Sequence, residues 1–114
     1  MVLYQQRVHD RLKELERELA RFVAAARLFR DVHAVYVFGS FARGSVGPRS
    51  DLDLLVVRDT TRSGPMRAED LAIAARLTIE SDILVLTPEE YERRSASTKF
   101  WRDVLADARQ VYAA

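Results

Sequence analysis

Val8, Leu12, Leu15, Leu19, Phe22, Ala26 and Phe29 alternate steps of four and three. That rhythm marks one face of an α-helix, and it predicts a single helix from about Tyr4 to Arg30. After Asp31 the pattern changes. His33 to Phe38 is rich in β-branched and aromatic residues, which suits a strand. Gly39-Ser40 breaks that strand and leads into a short helix. Gly44 to Ser50, with two glycines and a proline, is loop chemistry. Leu52 to Val57 is almost continuously apolar apart from Asp53, as expected of a strand covered on both faces.

A polar loop over Asp59 to Pro65 precedes a predicted helix from Arg67 to Leu77. Thr78 to Leu86 reads as a third strand. Thr87 then has the chemistry of an N-cap, with Pro88 as first helical residue and Glu89-Glu90 in the first turn. A last helix is predicted over Lys99 to Tyr112. This order describes a small α/β domain, with helices packed on a short sheet.

Composition narrows the picture. With 114 residues, 48% of them hydrophobic, residues 1–114 have the size of one domain with a single core. Without cysteine there is no disulfide or thiolate metal site. A formal charge of +1 gives no global field for drawing in a nucleic acid or an anionic membrane, although a local basic patch such as Arg93-Arg94 could still approach a polynucleotide. Neither a signal-peptide core nor a run of roughly 18 apolar residues is present, so the expected location is the cytoplasm.

The chemistry concentrates in Gly39 to Val56, GSFARGSVGPRSDLDLLV. A strand-to-helix turn at Gly39-Ser40 presents free backbone N–H groups and the positive end of a helix, a cradle for phosphate. Gly39 admits close approach of the backbone, and the Ser40 hydroxyl is a donor to a phosphate oxygen. Twelve residues after Gly39 comes Asp51-Leu52-Asp53. Side chains two apart on a strand face the same way, so both carboxylates share one site. Their repulsion is relieved by a hard divalent cation, and magnesium combines one or two carboxylates with phosphate oxygens. Asp82, inside an apolar strand, is the favoured third carboxylate, on the argument that its surroundings are buried. Glu80, two residues earlier on the same face, is its competitor. Ser50 reads as a loop-organising hydrogen-bond donor rather than a nucleophile. Arg43 fits either a triphosphate contact or a solvated helix position. Tyr36, Phe100 and Trp101 read as core.

G-S-x-x-x-G followed by S-D-x-D resembles the signature of the DNA polymerase β-like nucleotidyltransferase superfamily, and the short length is similar to its minimal nucleotidyltransferase (MNT) branch. The resemblance covers His33 to Leu86. It implies a polymerase β-like fold with a short mixed sheet and a long N-terminal helix. Gly39, Ser40, Arg43, Gly44 and Ser50 are implied to bind the nucleotide, and Asp51, Asp53 and Asp82 to be the catalytic, metal-holding acids. Mg²⁺ is the implied cofactor, and a nucleoside triphosphate, ATP by preference, the substrate. The implied activity is transfer of an adenylyl group to a hydroxyl. No acceptor-binding domain is legible, so the acceptor is expected on a partner, as for antitoxins of HEPN/MNT pairs. The alternatives are a catalytically silent module that neutralises a partner by contact, or a transferase acting on a small molecule or an RNA end. Arg27 and His33 also have the spacing of the HEPN ribonuclease motif, but that motif belongs in an all-helical domain, whereas His33 opens a strand.

The first helix carries one more expectation. About 27 residues span about 40 Å at 1.5 Å each, against a radius of gyration of about 13 Å for a domain of this size. Part of the stripe, with Leu12, Leu15 and Leu19, should therefore overhang and seek a partner helix, either from a HEPN-type toxin or from a second copy. The competing reading is that the helix covers its own sheet.

Overall fold

The computed structural model describes residues 3–94 and 97–114. Helix α1 (Tyr4–Ala26) is followed by β1 (Val32–Phe38), the short α2 (Gly39–Arg43) and β2 (Leu52–Arg58). A 3₁₀ turn (Gly64–Arg67) leads into α3 (Glu69–Ala75), then β3 (Ser81–Leu86), α4 (Pro88–Arg94), α5 (Lys99–Asp107) and β4 (Arg109–Ala113). The four strands form one mixed sheet in the order β3-β2-β1-β4. β1 runs antiparallel to both β2 and β4, and β2 runs parallel to β3.

Central strands are covered on both faces, which is why β2 reads as a nearly unbroken apolar run. Leu52, Leu54 and Val56 join Val35 and Val37 in the larger core beneath α1 and α3. Leu55 points the other way, into a smaller core with Leu86 and Val104 that Tyr36, Phe38, Tyr91 and Trp101 flank. Tyr36 stacks on Tyr91 with ring centroids 5.7 Å apart. Phe100, expected in the core, is instead exposed and meets Trp101 edge-on at 5.3 Å.

The stripe of α1 belongs to this core. Leu15 and Phe22 are fully buried, and Leu12 and Leu19 pack against the same cluster. The expected overhanging seam is thus corrected: α1 lies along the sheet, and the large apolar residues exposed along it are Tyr4 and the preceding Leu3, at the very start. The helix also ends four residues early. Leu28 and Phe29 N–H groups donate to Ala25 and Ala26, a tightened last turn. That turn brings Phe29 under the Arg58 guanidinium, 5.5 Å from the ring centroid.

Other boundaries move for equally local reasons. β3 starts at Ser81 rather than Thr78, because the Thr78 and Ile79 N–H groups donate to the Glu18 carboxylate instead of to a strand. α3 stops at Ala75, where Arg76 turns left-handed at φ 52°. The predicted last helix is two elements. α5 ends at Asp107, Ala108 is extended, and β4 closes the free edge of β1. The cap at Thr87 is as expected and forms a reciprocal pair. Thr87 Oγ1 accepts from the Glu90 N–H at 3.2 Å, and the Glu90 carboxylate accepts from the Thr87 N–H at 2.9 Å.

Candidate active site

β1 ends at Phe38, and Gly39 turns the chain with φ +75°, a conformation that suits glycine. Space is the second reason for glycine here. A Cβ at position 39 would overlap Oδ2 of Asp53 and lie 3.1 Å from its Cγ. Next in the turn, Ser40 Oγ donates to Ser50 Oγ at 3.0 Å, and the Gly47 N–H donates to the same Ser50 oxygen at 2.8 Å. The Ser45 N–H donates to the Ser40 carbonyl at 2.9 Å. Ser50 therefore organises the 44–50 loop against α2, as expected, but by accepting hydrogen bonds. Gly44 ends α2 in the left-handed region at φ +75°, with open space around it.

The loop delivers Asp51 to the mouth of β2, and Asp53 follows two residues later on the same face. Neither is fully buried. In the parallel pairing of β2 with β3, Asp53 stands beside Asp82. On the other side, Phe38 of β1 pairs with Asp53. Burial pushes the Asp53 carboxyl above its ordinary pKa, and the charges of Asp82 and then Asp51 push it the same way, while Arg43 opposes them. Asp53 thus feels the charges of both neighbouring acids, one on its own strand and one across the strand pair.

Asp82 reaches this row by register and not by burial. β3 is an edge strand, and Asp82 is exposed, so the argument from buried surroundings is corrected. Glu80 precedes β3, and its carbonyl accepts from the Leu52 N–H at 3.2 Å. Arg43 pairs with Asp107 of α5 at 2.7 Å, on the flank of the acid row.

Among the described residues, no three Asp, Glu or His side chains converge tightly enough to cage a metal by themselves. The row suits a cation that completes its shell from elsewhere. Magnesium does this with water and phosphate oxygens, and a positive charge here would relieve the repulsion that raises Asp53.

Two residues that sequence reasoning passed over support these segments from α1. Arg11 Nε donates to the Ser50 carbonyl at 2.9 Å. Glu18, only 2% exposed, accepts from the Thr78 and Ile79 N–H groups and from the Thr78 hydroxyl, and pairs with Arg21. A signal was available: Glu18 lies three residues after Leu15 and four before Phe22, an acid on the apolar stripe.

Solved structures share this fold. In fold, the chain is similar to a toxin–antitoxin crystallised with AMP-PNP, with 24% identity, a TM-score of 0.60, and 83% of this chain and 73% of that one covered. A candidate nucleotidyltransferase from Sulfolobus solfataricus gives 24% identity and a TM-score of 0.57 over 94% of this chain and 86% of that one. A tri-AMPylated Shewanella oneidensis HEPN toxin in complex with MNT antitoxin gives 22% and 0.50 over 90% and 73%. No curated protein sequence matches the chain. No described helix is long and apolar enough to cross a membrane. The model of the nucleotidyltransferase domain matches residues 12–113, which include the glycine turn and all three acids. The chain belongs to the nucleotidyltransferase domain family and has its polymerase β-like α/β fold.

Proposed function

We propose that this chain is a minimal, single-domain nucleotidyltransferase that moves the adenylyl group of ATP to a hydroxyl on a partner protein, and that it acts as an antitoxin towards that partner. The observation that carries the reading is the row Asp51, Asp53 and Asp82 beside the Gly39-Ser40 turn. The antitoxin setting draws support from fold neighbours that are toxin–antitoxin complexes, one with AMP-PNP and one with an AMPylated toxin.

In this reading Gly39, Ser40, Gly44 and Ser50 shape the loop that receives the triphosphate, and Arg43 adds positive charge on its flank. Asp51, Asp53 and Asp82 would hold Mg²⁺, which when bound would neutralise triphosphate charge and make a nearby hydroxyl more acidic. The acceptor oxygen bonds to the α-phosphorus, the α–β phosphoanhydride bond breaks, and pyrophosphate leaves. The proton of the acceptor hydroxyl is released to solvent as the new P–O bond forms. The partner supplies the acceptor and the surface that presents it.

The test is binding to the folded state. Mg²⁺ with the α,β-methylene analogue of ATP, which cannot undergo the transfer, should raise the melting temperature of the wild type. Asp51→Asn/Asp53→Asn should abolish that rise. A double variant stabilised as much as the wild type would rule out this site.

A further inference from the structure

Arg11 and Glu18 stand seven residues apart on α1, two helical turns, and so project from the same side of the helix. Each ends on a backbone segment that leads directly into an acid. Arg11 Nε holds the carbonyl of Ser50, the residue before Asp51, and the same guanidinium is steadied by Glu14 at 2.9 Å. Glu18 gathers the Thr78 N–H at 2.5 Å, the Thr78 hydroxyl at 2.9 Å and the Ile79 N–H at 3.1 Å. From Ile79 the chain passes to Glu80, whose carbonyl takes the Leu52 N–H, and the parallel register that follows sets Asp53 beside Asp82.

Removing Glu18 from water is costly unless its oxygens are filled. Three of its donors come from one short segment 60 residues away in sequence, in place of strand pairing. What the arrangement fixes is register. β3 is an edge strand, held by β2 on one side only, and a slip of one residue would turn Asp82 to the opposite face of the sheet.

We infer that α1 acts as a two-point clamp on the acid row, with Arg11 and Glu18 as positioning residues for Asp51, Asp53 and Asp82. The inference rests on the metal-holding role proposed above for those acids. Arg11 sets the height of the Asp51 end of β2. Glu18 sets where β3 begins and so which of its residues meets Asp53.

The experiment measures Mn²⁺ affinity by electron paramagnetic resonance, with the α,β-methylene analogue of ATP present, in wild type, Glu18→Leu, Arg11→Gln and Thr78→Ser. Amide hydrogen exchange at Leu52 is followed in the same samples. A single Glu18 oxygen, Oε1, takes all three donors of the 78–79 segment, so leucine, which has no acceptor, is the substitution that releases them. Glu18→Leu and Arg11→Gln, while still folded by circular dichroism, should bind Mn²⁺ roughly 10- to 100-fold more weakly, the usual effect of losing a group that orients metal ligands. Glu18→Leu should also lose protection at Leu52. Thr78→Ser keeps the hydroxyl donor and should match the wild type. Wild-type Mn²⁺ affinity in either folded variant, Glu18→Leu or Arg11→Gln, overturns the clamp. If Glu18→Leu does not fold, Arg11→Gln, on a less buried side chain, decides by the same criterion. A wild type that binds no Mn²⁺ overturns the reading of the acids themselves, and the clamp with it.

Discussion

The carboxylate of Asp53 fills the space that a side chain on Gly39 would need. Turn and acid are therefore one unit, although one begins α2 and the other lies in β2. Gly39→Ala must both adopt φ +75° and displace Asp53. Strain of this kind costs about 1–3 kcal/mol. Urea unfolding should show that loss, and the stabilisation by Mg²⁺ with the α,β-methylene analogue should shrink. An alanine variant with wild-type stability and wild-type ligand response would contradict the packing described.

Asp53 should make stability depend on pH in a way opposite to a salt-bridged acid. Burial first, then Asp82 and Asp51, raise its folded pKa above the unfolded value. The charged form is thus disfavoured by folding. The cost is fully present above the folded pKa and disappears as pH falls to the unfolded value. Without divalent cations, Asp53→Asn should be more stable than wild type at pH 7, and the gain should close as pH drops through that interval. Denaturant melts across the acid range measure it. A gain that persists below the ordinary carboxylate range would assign it to some other cause.

Leu15 distinguishes a core residue from a seam residue. It is 0% exposed on the inner face of α1, and truncation of such a leucine to alanine costs about 2–5 kcal/mol. Leu15→Ala should lower the unfolding free energy by that amount, and Leu15→Glu should unfold the chain. Sedimentation and circular dichroism on the glutamate variant settle the matter. A folded variant with altered mass would revive the seam.

The cap of α4 carries a second pH signature. The hydrogen bond from Arg67, then that from the Thr87 N–H, hold the Glu90 carboxyl down to about 2 from 4.5. Its contribution is present above pH 4.5 and is lost as pH falls towards 2. Glu90→Gln should cost about 1 kcal/mol at neutral pH, since the pair is near the surface. The difference from wild type should vanish in acid. An unchanged difference at pH 2 would mean that Glu90 acts there through packing alone.

The acid motif was legible because its geometry is local. Alternation on a strand puts Asp51 and Asp53 on one face whatever the rest of the chain does, and Gly39-Ser40 breaks β1 by backbone preference alone. Asp82 was found for the wrong reason. Its partner is set by strand order, and an edge position leaves an apolar-looking strand half-covered, with Asp82 exposed. β4 was hidden because Val111 and Tyr112 continue the helical spacing of Val104 and Ala108, and only the open edge of β1 draws them into a strand. The stripe of α1 revealed a helix but not what it faces. Glu18 was visible as an acid on that stripe, yet its donors lie on a segment that no local pattern connects to it.

The central claim is that this acid row performs nucleotidyl transfer. The most direct measurement incubates the protein with Mg²⁺, the protein encoded by the neighbouring gene, and ATP labelled at either the α- or the γ-phosphate. The account predicts label on the partner from α-labelled ATP only, with pyrophosphate released, and no transfer by Asp51→Asn/Asp53→Asn. Label arriving from the γ-phosphate would mean kinase chemistry. Inhibition of the partner with no transfer from any nucleotide would mean neutralisation by contact, and either result would contradict the account.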